Sequence, residues 1–350
     1  MAENRIGLGT NDKIALIGNL ATMLTAGIPI LEAVESLSVD VKGNQKKILD
    51  ALREDLAQGK RIHTTLSRFP RAFDKVTVNV IKASEEAGNL DVVLKDLREN
   101  IRREAEFTSK IKSSLVYPAF IFLVFFVVLF VILFVVVPKI SAVFSRMTVS
   151  LPLTTKILIF ASDLLVKRGI FVLIGFLILA GGLYLFYYFK RKLLFQILFS
   201  LPLVSQVVYK IDLTRFSRSL HLLLASGIPI THALELTQDV AIKKETSKMI
   251  AKSREMVLAG KSLASGLTTH SKKIPNLMLK LVEAGEKTGT LDKSLQEVSE
   301  HFDYEVTNDL KTITTLIEPI MLVVIGVSVG GLMIAIVGPI YGLIGQVGAR

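Results

Sequence analysis

One stretch of this chain is written twice. Residues Leu20–Glu35 read LATMLTAGIPILEAVE, and residues Leu220–Glu235 read LHLLLASGIPITHALE. Gly27, Ile28, Pro29 and Ile30 recur as Gly227, Ile228, Pro229 and Ile230. The identities include turn residues as well as apolar ones, so a structural unit is duplicated and not merely a composition. Any fold for the chain must therefore be built from two like halves.

The stretch itself reads as a helical hairpin. Ile14, Ile17, Leu20, Ala21 and Leu24 draw an apolar stripe at helical spacing, and Leu213, Phe216, Leu220, Leu223 and Leu224 repeat it. Gly27 and Gly227 suit the left-handed residue just past a helix end. Pro29 and Pro229 suit the start of the next helix, where a missing N–H costs nothing. Glu32 and Glu35 follow in its early turns, where the helix dipole favours acid.

The duplication extends further. Gly59-Lys60 matches Gly260-Lys261, Glu85 matches Glu286, and Gly88, Leu90 and Asp91 match Gly289, Leu291 and Asp292. Pro118 matches Pro319, and Pro138 matches Pro339. The numbering offset moves from 200 to 201 after the first block, one residue having been inserted in the second copy. Between these landmarks the first copy reads as helices over residues 45–56, 62–67 and 73–87, followed by a helix from Asn89 without a strong breaker until Pro118. That last helix is charged through Lys112 and apolar from Leu115 to Val137.

Composition agrees with a chain partly in lipid: apolar residues make up 51% and the mean hydropathy is +0.51. Residues 117–137 carry no charge and match the roughly 20 residues that cross a bilayer. Residues 170–189 form a second uncharged stretch, and a third runs from about Pro319 to Leu343. Residues 193–209 are apolar but interrupted by Gln196, Pro202 and Gln206, which suits an interfacial or bundle helix. No signal peptide is expected, since residues 1–12 are polar.

The formal net charge of +11 is unevenly placed. Residues 139–210 hold nine Lys and Arg against one acid, whereas residues 211–318 are neutral. An excess beside apolar spans anchors to lipid headgroups, so direct nucleic-acid binding is not expected.

Catalytic motifs are weak. Gly260-Lys261-Ser262 resembles the end of a phosphate loop, but Glu255 stands where that loop needs glycine and no strand precedes it. His63, His221, His232, His270 and His301 lack metal-ligand spacing, and cysteine is absent. No enzyme activity, metal or cofactor is expected. The repeated acidic turn is more informative: Glu85, Glu86 and Asp91 in the first copy, Glu286 and Asp292 in the second. Its carboxylates either cap helices or form a docking surface for a partner or a hard cation. In the third apolar stretch, Gly326 and Gly330 stand four apart, as do Gly338 and Gly342, a spacing that lets helices pack closely within or between chains.

The doubled LLxAGIPIxxALE-like hairpin, the doubled GExxGxLD-like turn, Tyr117-Pro118 and the segment LPLVSQVVYKIDLTRFSRSL at residues 201–220 together resemble the inner-membrane platform proteins of type II secretion and type IV pilus machines. The resemblance runs from about Asp12 to Gly345. In the first copy Ser84 stands where the second has Gly285, and the additional N-terminal segment of many family members is not seen before the first hairpin.

The resemblance implies an all-α chain of two homologous antiparallel bundles, about six helices each, and three transmembrane helices. The expected boundaries are a bundle over 1–116, spans at 117–138 and 170–189 flanking an extracytoplasmic loop at 139–169, a second bundle over 190–318, a span at 319–343 and an extracytoplasmic tail at 344–350. Both bundles would be cytoplasmic. Implied partners are a cytoplasmic hexameric secretion or pilus ATPase, pilin-like subunits, other inner-membrane assembly proteins, the lipid bilayer and further copies of the chain as a homo-oligomer. A transporter or channel subunit with duplicated domains is the alternative, but spans without ionisable groups argue against a pump.

Overall fold

The computed structural model describes residues 6–39, 41–144, 156, 159–160, 202–268 and 274–347. Among them every regular element is helical. The first repeat contributes α1 (Thr10–Thr25), α2 (Ile30–Val39), α3 (Gly43–Ala57), α4 (Ile62–Leu66), α5 (Lys75–Ala87) and α6 (Leu90–Val131), followed by one π turn at Ile132–Val136 and α7 (Val137–Phe144). The second contributes α8 (Pro202–Ala225), α9 (Ile230–Thr237), a single 3-10 turn, α10 (Lys244–Leu258), α11 (Leu263–Thr268), α12 (Asn276–Thr288) and α13 (Leu291–Val347). The expected span at 170–189 lies outside the described residues, as does most of 139–169. Of residues 193–209, the part from Pro202 opens α8.

The hairpin turns form as the residues dictate. Gly27 has φ of 81° and Gly227 of 78°, a backbone region where a Cβ is penalised. At the end of α1 the Gly27 N–H donates to the Leu24 carbonyl at 2.9 Å and the Ile28 N–H to the Met23 carbonyl at 3.0 Å. Gly227 and Ile228 repeat this with Leu224 and Leu223 at the same distances. Two otherwise orphaned carbonyls are satisfied in each copy. Pro29 and Pro229 then stand immediately before the second helices, and their carbonyls accept from Ala33 and Ala233.

The chain divides into two compact units, residues 1–110 with 205–308, and residues 111–204 with 309–350. The first unit holds the short helices of both repeats. Its core is one continuous cluster that includes Leu16, Leu49, Phe69, Phe73 and Ile81 from the first copy and Phe216, Leu223, Ile250, Met278 and Phe302 from the second. Fully burying such a side chain contributes about 1.5–3 kcal/mol relative to leaving it in water.

The second unit is dominated by the apolar parts of α6 and α13. Two helices, over Leu90–Lys139 and Leu291–Gly331, are long and apolar enough to cross a membrane, with windows of mean hydropathy 3.7 and 2.0. Their apolar side chains face outward: Phe120 is 62% exposed and Val327 70%. A continuous apolar surface of this length is disfavoured in water and suits hydrocarbon. The Thr314 hydroxyl donates to the Ser114 carbonyl at 3.3 Å, tying α13 to α6 at the start of these stretches. α6 passes Pro118 unbroken, and the π turn sits just before Pro138, where the ring removes a backbone donor and crowds the preceding turn.

Candidate functional site

The repeated acidic turn is placed first. Gly88 and Gly289 end α5 and α12 in the left-handed region, with φ of 72° and 71°. Glu85 and Glu286, one turn earlier, point inward. The Glu85 carboxylate accepts from the Ile62 N–H at 2.7 Å, the His63 N–H at 3.0 Å and the His63 ring Nδ1–H at 2.5 Å. Glu286 accepts from the backbone N–H of Leu263 and, at 2.9 Å, from that of Ala264. Each glutamate thus supplies acceptors to the exposed donors at the start of the short fourth helix of its repeat, α4 or α11. α4 has no side-chain cap of its own, since Arg61 precedes it.

The other candidate carboxylates stand differently. Glu86 is exposed, 3.7 Å from the Arg61 guanidinium. Asp91 and Asp292 lie half-buried in the first turns of α6 and α13. The Asp292 carbonyl accepts from His221 Nδ1 at 2.8 Å. Among the described residues no group of three or more His, Asp or Glu could hold a metal ion. His270 lies outside the described residues. Gly260 closes the preceding helix, with Lys261 N–H donating to the Met256 carbonyl at 2.9 Å, as a helix terminus and not a phosphate loop. For Glu286→Gln, which keeps one acceptor but loses the charge, we expect a loss of about 1–2 kcal/mol in denaturant unfolding followed by far-UV circular dichroism.

A second cluster has no sequence motif. α6 of the first repeat crosses α8 and α13 of the second. Glu104 accepts from Arg215 Nε at 2.8 Å and from an Arg218 terminal nitrogen at 2.9 Å. Arg218 also donates to Asp303 at 2.9 Å, and its guanidinium lies 5.2 Å from the Phe107 ring centroid. Arg103–Glu300 at 3.0 Å and Lys110–Asp303 at 3.4 Å flank it. The Arg218 side chain is only 8% exposed. This half-buried network joins the two repeats beside a 680 Å³ polar cleft bordered by Asp96, Glu99, His221, Gln296 and Tyr304.

Two buried aspartates belong to single repeats. Asp55 takes Lys60 at 2.7 Å, Thr65 at 2.9 Å and Arg68 at 2.7 Å. The Lys60 hydrogen bond, helped by Thr65 and by the Lys60 and Arg68 charges, outweighs burial and holds its pKa below the usual value. A depressed folded pKa stabilises the protein above the unfolded pKa, and that stability is lost as pH falls through the folded value. Asp55→Asn should therefore be less stable than the native chain at pH 7, and the difference should shrink below about pH 4, as unfolding midpoints across pH will report. Asp212 behaves oppositely. It is fully buried and accepts from the N–H groups of Ile242 and Lys243 at 2.7 and 2.9 Å, and burial pushes its pKa up despite them.

The candidate packing glycines lie on α13. Nothing stands within 4 Å of where a Cβ would be at Gly326 or Gly330, so this surface is open in the described chain. Gly338 and Gly342 follow on the same helix.

Comparison with known proteins gives a consistent result. A family model, type II secretion system (T2SS) protein F, matches twice, over residues 16–138 and 216–339. The chain is 30% identical to type IV pilus assembly protein PilC of Thermus thermophilus, over 98% of this chain and 85% of that one. It is 28% identical to PilC of Pseudomonas aeruginosa over 94% and 89%, and 27% identical to type II secretion system protein F of Aeromonas hydrophila over 97% and 88%. Two matched domains, each running from within the first helix of its repeat, α1 or α8, to a proline in the apolar stretch, Pro138 or Pro339, cover most of the sequence: the chain belongs to the type II secretion system protein F family.

Proposed function

We propose that this protein is an inner-membrane platform of a type IV pilus or type II secretion machine. In this reading it couples a cytoplasmic hexameric ATPase to the extraction of pilin-like subunits and their assembly into a filament. One observation carries the reading. Each copy of the family domain includes both a set of short helices and the long helix that leaves it as an apolar rod. A load applied to the short helices has a continuous covalent path into α6 and α13, which stay helical past Pro118 and Pro319.

The reading puts both sets of short helices on the cytoplasmic side, with three spans at 117–138, 170–189 and 319–343. Lipid, other inner-membrane assembly proteins and further copies of the chain surround it. Glu86, Asp91 and Asp292 are the acidic-turn groups available to a partner. Glu85 and Glu286 shape that surface from beneath, their oxygens being committed to backbone donors. The chain's part is mechanical and not catalytic.

Deleting the gene should abolish surface filaments or secreted substrate while the pilin-like subunits accumulate in the membrane, and the detergent-extracted protein should co-purify with a separate ATPase. Normal filaments and secretion in the deletion, or substrate turnover by the purified chain alone, would overturn the reading.

A further inference from the structure

The two repeats are not equivalent where their first and sixth helices meet. Gly18 in α1 corresponds to Arg218 in α8, and Arg98 in α6 corresponds to Ser299 in α13. Each pairing thus holds one arginine and one small residue, on opposite helices in the two copies. In the first repeat a Cβ on Gly18 would stand 2.8 Å from Arg98 Cδ and Nε, so the arginine lies directly over the α1 backbone. In the second repeat Ser299 is buried and Arg218 takes the long side chain's place. Both copies thus hold a guanidinium at this helix crossing, supplied from opposite helices.

The surroundings of the two guanidinium groups differ. That of Arg218 is buried under α6, which brings Glu104 and the Phe107 ring onto it. That of Arg98 is exposed and borders an open 440 Å³ cleft with Asn11, Ala15, Gly18, Asn19 and Thr22. No acidic side chain borders this cleft, and among the described residues Arg98 has no ion pair. The face of α8 that takes a carboxylate-bearing helix is filled from within the chain, and among the described residues its counterpart on α1 is uncovered.

We propose that this α1 face, with Arg98 above it, docks a helix of another protein that presents a glutamate or aspartate side chain. The occupant's chemistry follows from what covers the equivalent face: a helix carrying a carboxylate and, one turn on, an aromatic ring. Gly18 makes room for the arginine and Ala15 leaves space beside it for such a helix, and a planar guanidinium favours a carboxylate held in two hydrogen bonds. Arg215, the second arginine on Glu104, is replaced by Ala15, so the docked carboxylate meets one arginine and is held reversibly. The inference does not depend on the platform reading.

The test uses the full chain in detergent micelles and a fluorescein-labelled, stapled peptide with the sequence of residues 99–112, the segment that fills the equivalent face. Fluorescence anisotropy should show saturable binding. Arg98→Gln in the chain, or Glu104→Gln in the peptide, should each weaken it by about tenfold, and the two together no further. Gly18→Ala, which displaces the guanidinium but leaves its charge, should weaken it less. Absence of binding, or binding indifferent to Arg98→Gln, would overturn the proposal. Two other results would also overturn it by assigning a different occupant: self-association of the peptide-free chain that Arg98→Gln abolishes, or Arg98-dependent binding to anionic vesicles without peptide binding.

Discussion

Arg218→Ala should cost the folded protein about 3 kcal/mol, the largest loss expected from any single ion-pair residue among those described. The guanidinium is buried, and it neutralises Glu104 from one repeat and Asp303 from the other. Removing it leaves two half-buried carboxylates without the cation they share and takes a cation from the Phe107 ring. Arg215 stays with Glu104 and Lys110 with Asp303, which keeps the cost below that of a wholly unpaired pair. Denaturant unfolding in detergent, followed by circular dichroism, will read the value. A loss below about 1 kcal/mol would place this network among exposed ion pairs that contribute little.

Gly285→Ser should cost a comparable amount, about 3 kcal/mol, although serine is what the first repeat has at the matching position. A Cβ at Gly285 would stand 2.5 Å from Ser294 Oγ and 2.9 Å from Leu291 Cα. The second of these is backbone and cannot rotate away, so α12 must be pushed off the start of α13. The first repeat accommodates Ser84 buried, its hydroxyl donating to the Ile81 carbonyl at 2.8 Å. Ser84→Gly, which creates no overlap, should cost only about 1 kcal/mol, the entropic penalty of glycine inside a helix. Equal losses for the two substitutions would contradict the close approach specific to the second repeat.

These pairs show what the sequence made legible. The hairpins, the helices after them and the continuity of α6 from Leu90 past Pro118 follow from periodicity and from glycine and proline positions, because those signals are local. The acidic turn was legible as a repeat but ambiguous in role. Glu85 and Glu286 carry the same letters whether they face solvent or cap α4 and α11. A useful signal was nevertheless present: α4 follows Gly-Lys-Arg and has no capping side chain of its own, so another segment had to supply the acceptor.

The cross-repeat network was not legible, because it depends on how α6 lies on α8 and α13. Asp12 and Asp212 make the point: they are matching aspartates, yet the first is exposed and the second fully buried on the Ile242 and Lys243 N–H groups. Burial of a charge is decided by neighbours that no local pattern specifies. The exchange of arginine between positions 18, 98, 218 and 299 could have been noticed by aligning the copies residue by residue. It becomes physical only once Arg98 is seen to overlie Gly18.

In the proposed function the short helices of both repeats stand on one side of the membrane and act there as one body. The chain has no cysteine, so single cysteines report without background. Lys47→Cys and Lys248→Cys place one at matching exposed positions on α3 and α10. With a membrane-impermeant maleimide, both should label in inverted inner-membrane vesicles and neither in intact spheroplasts. Labelling of one position from each side would contradict the claim.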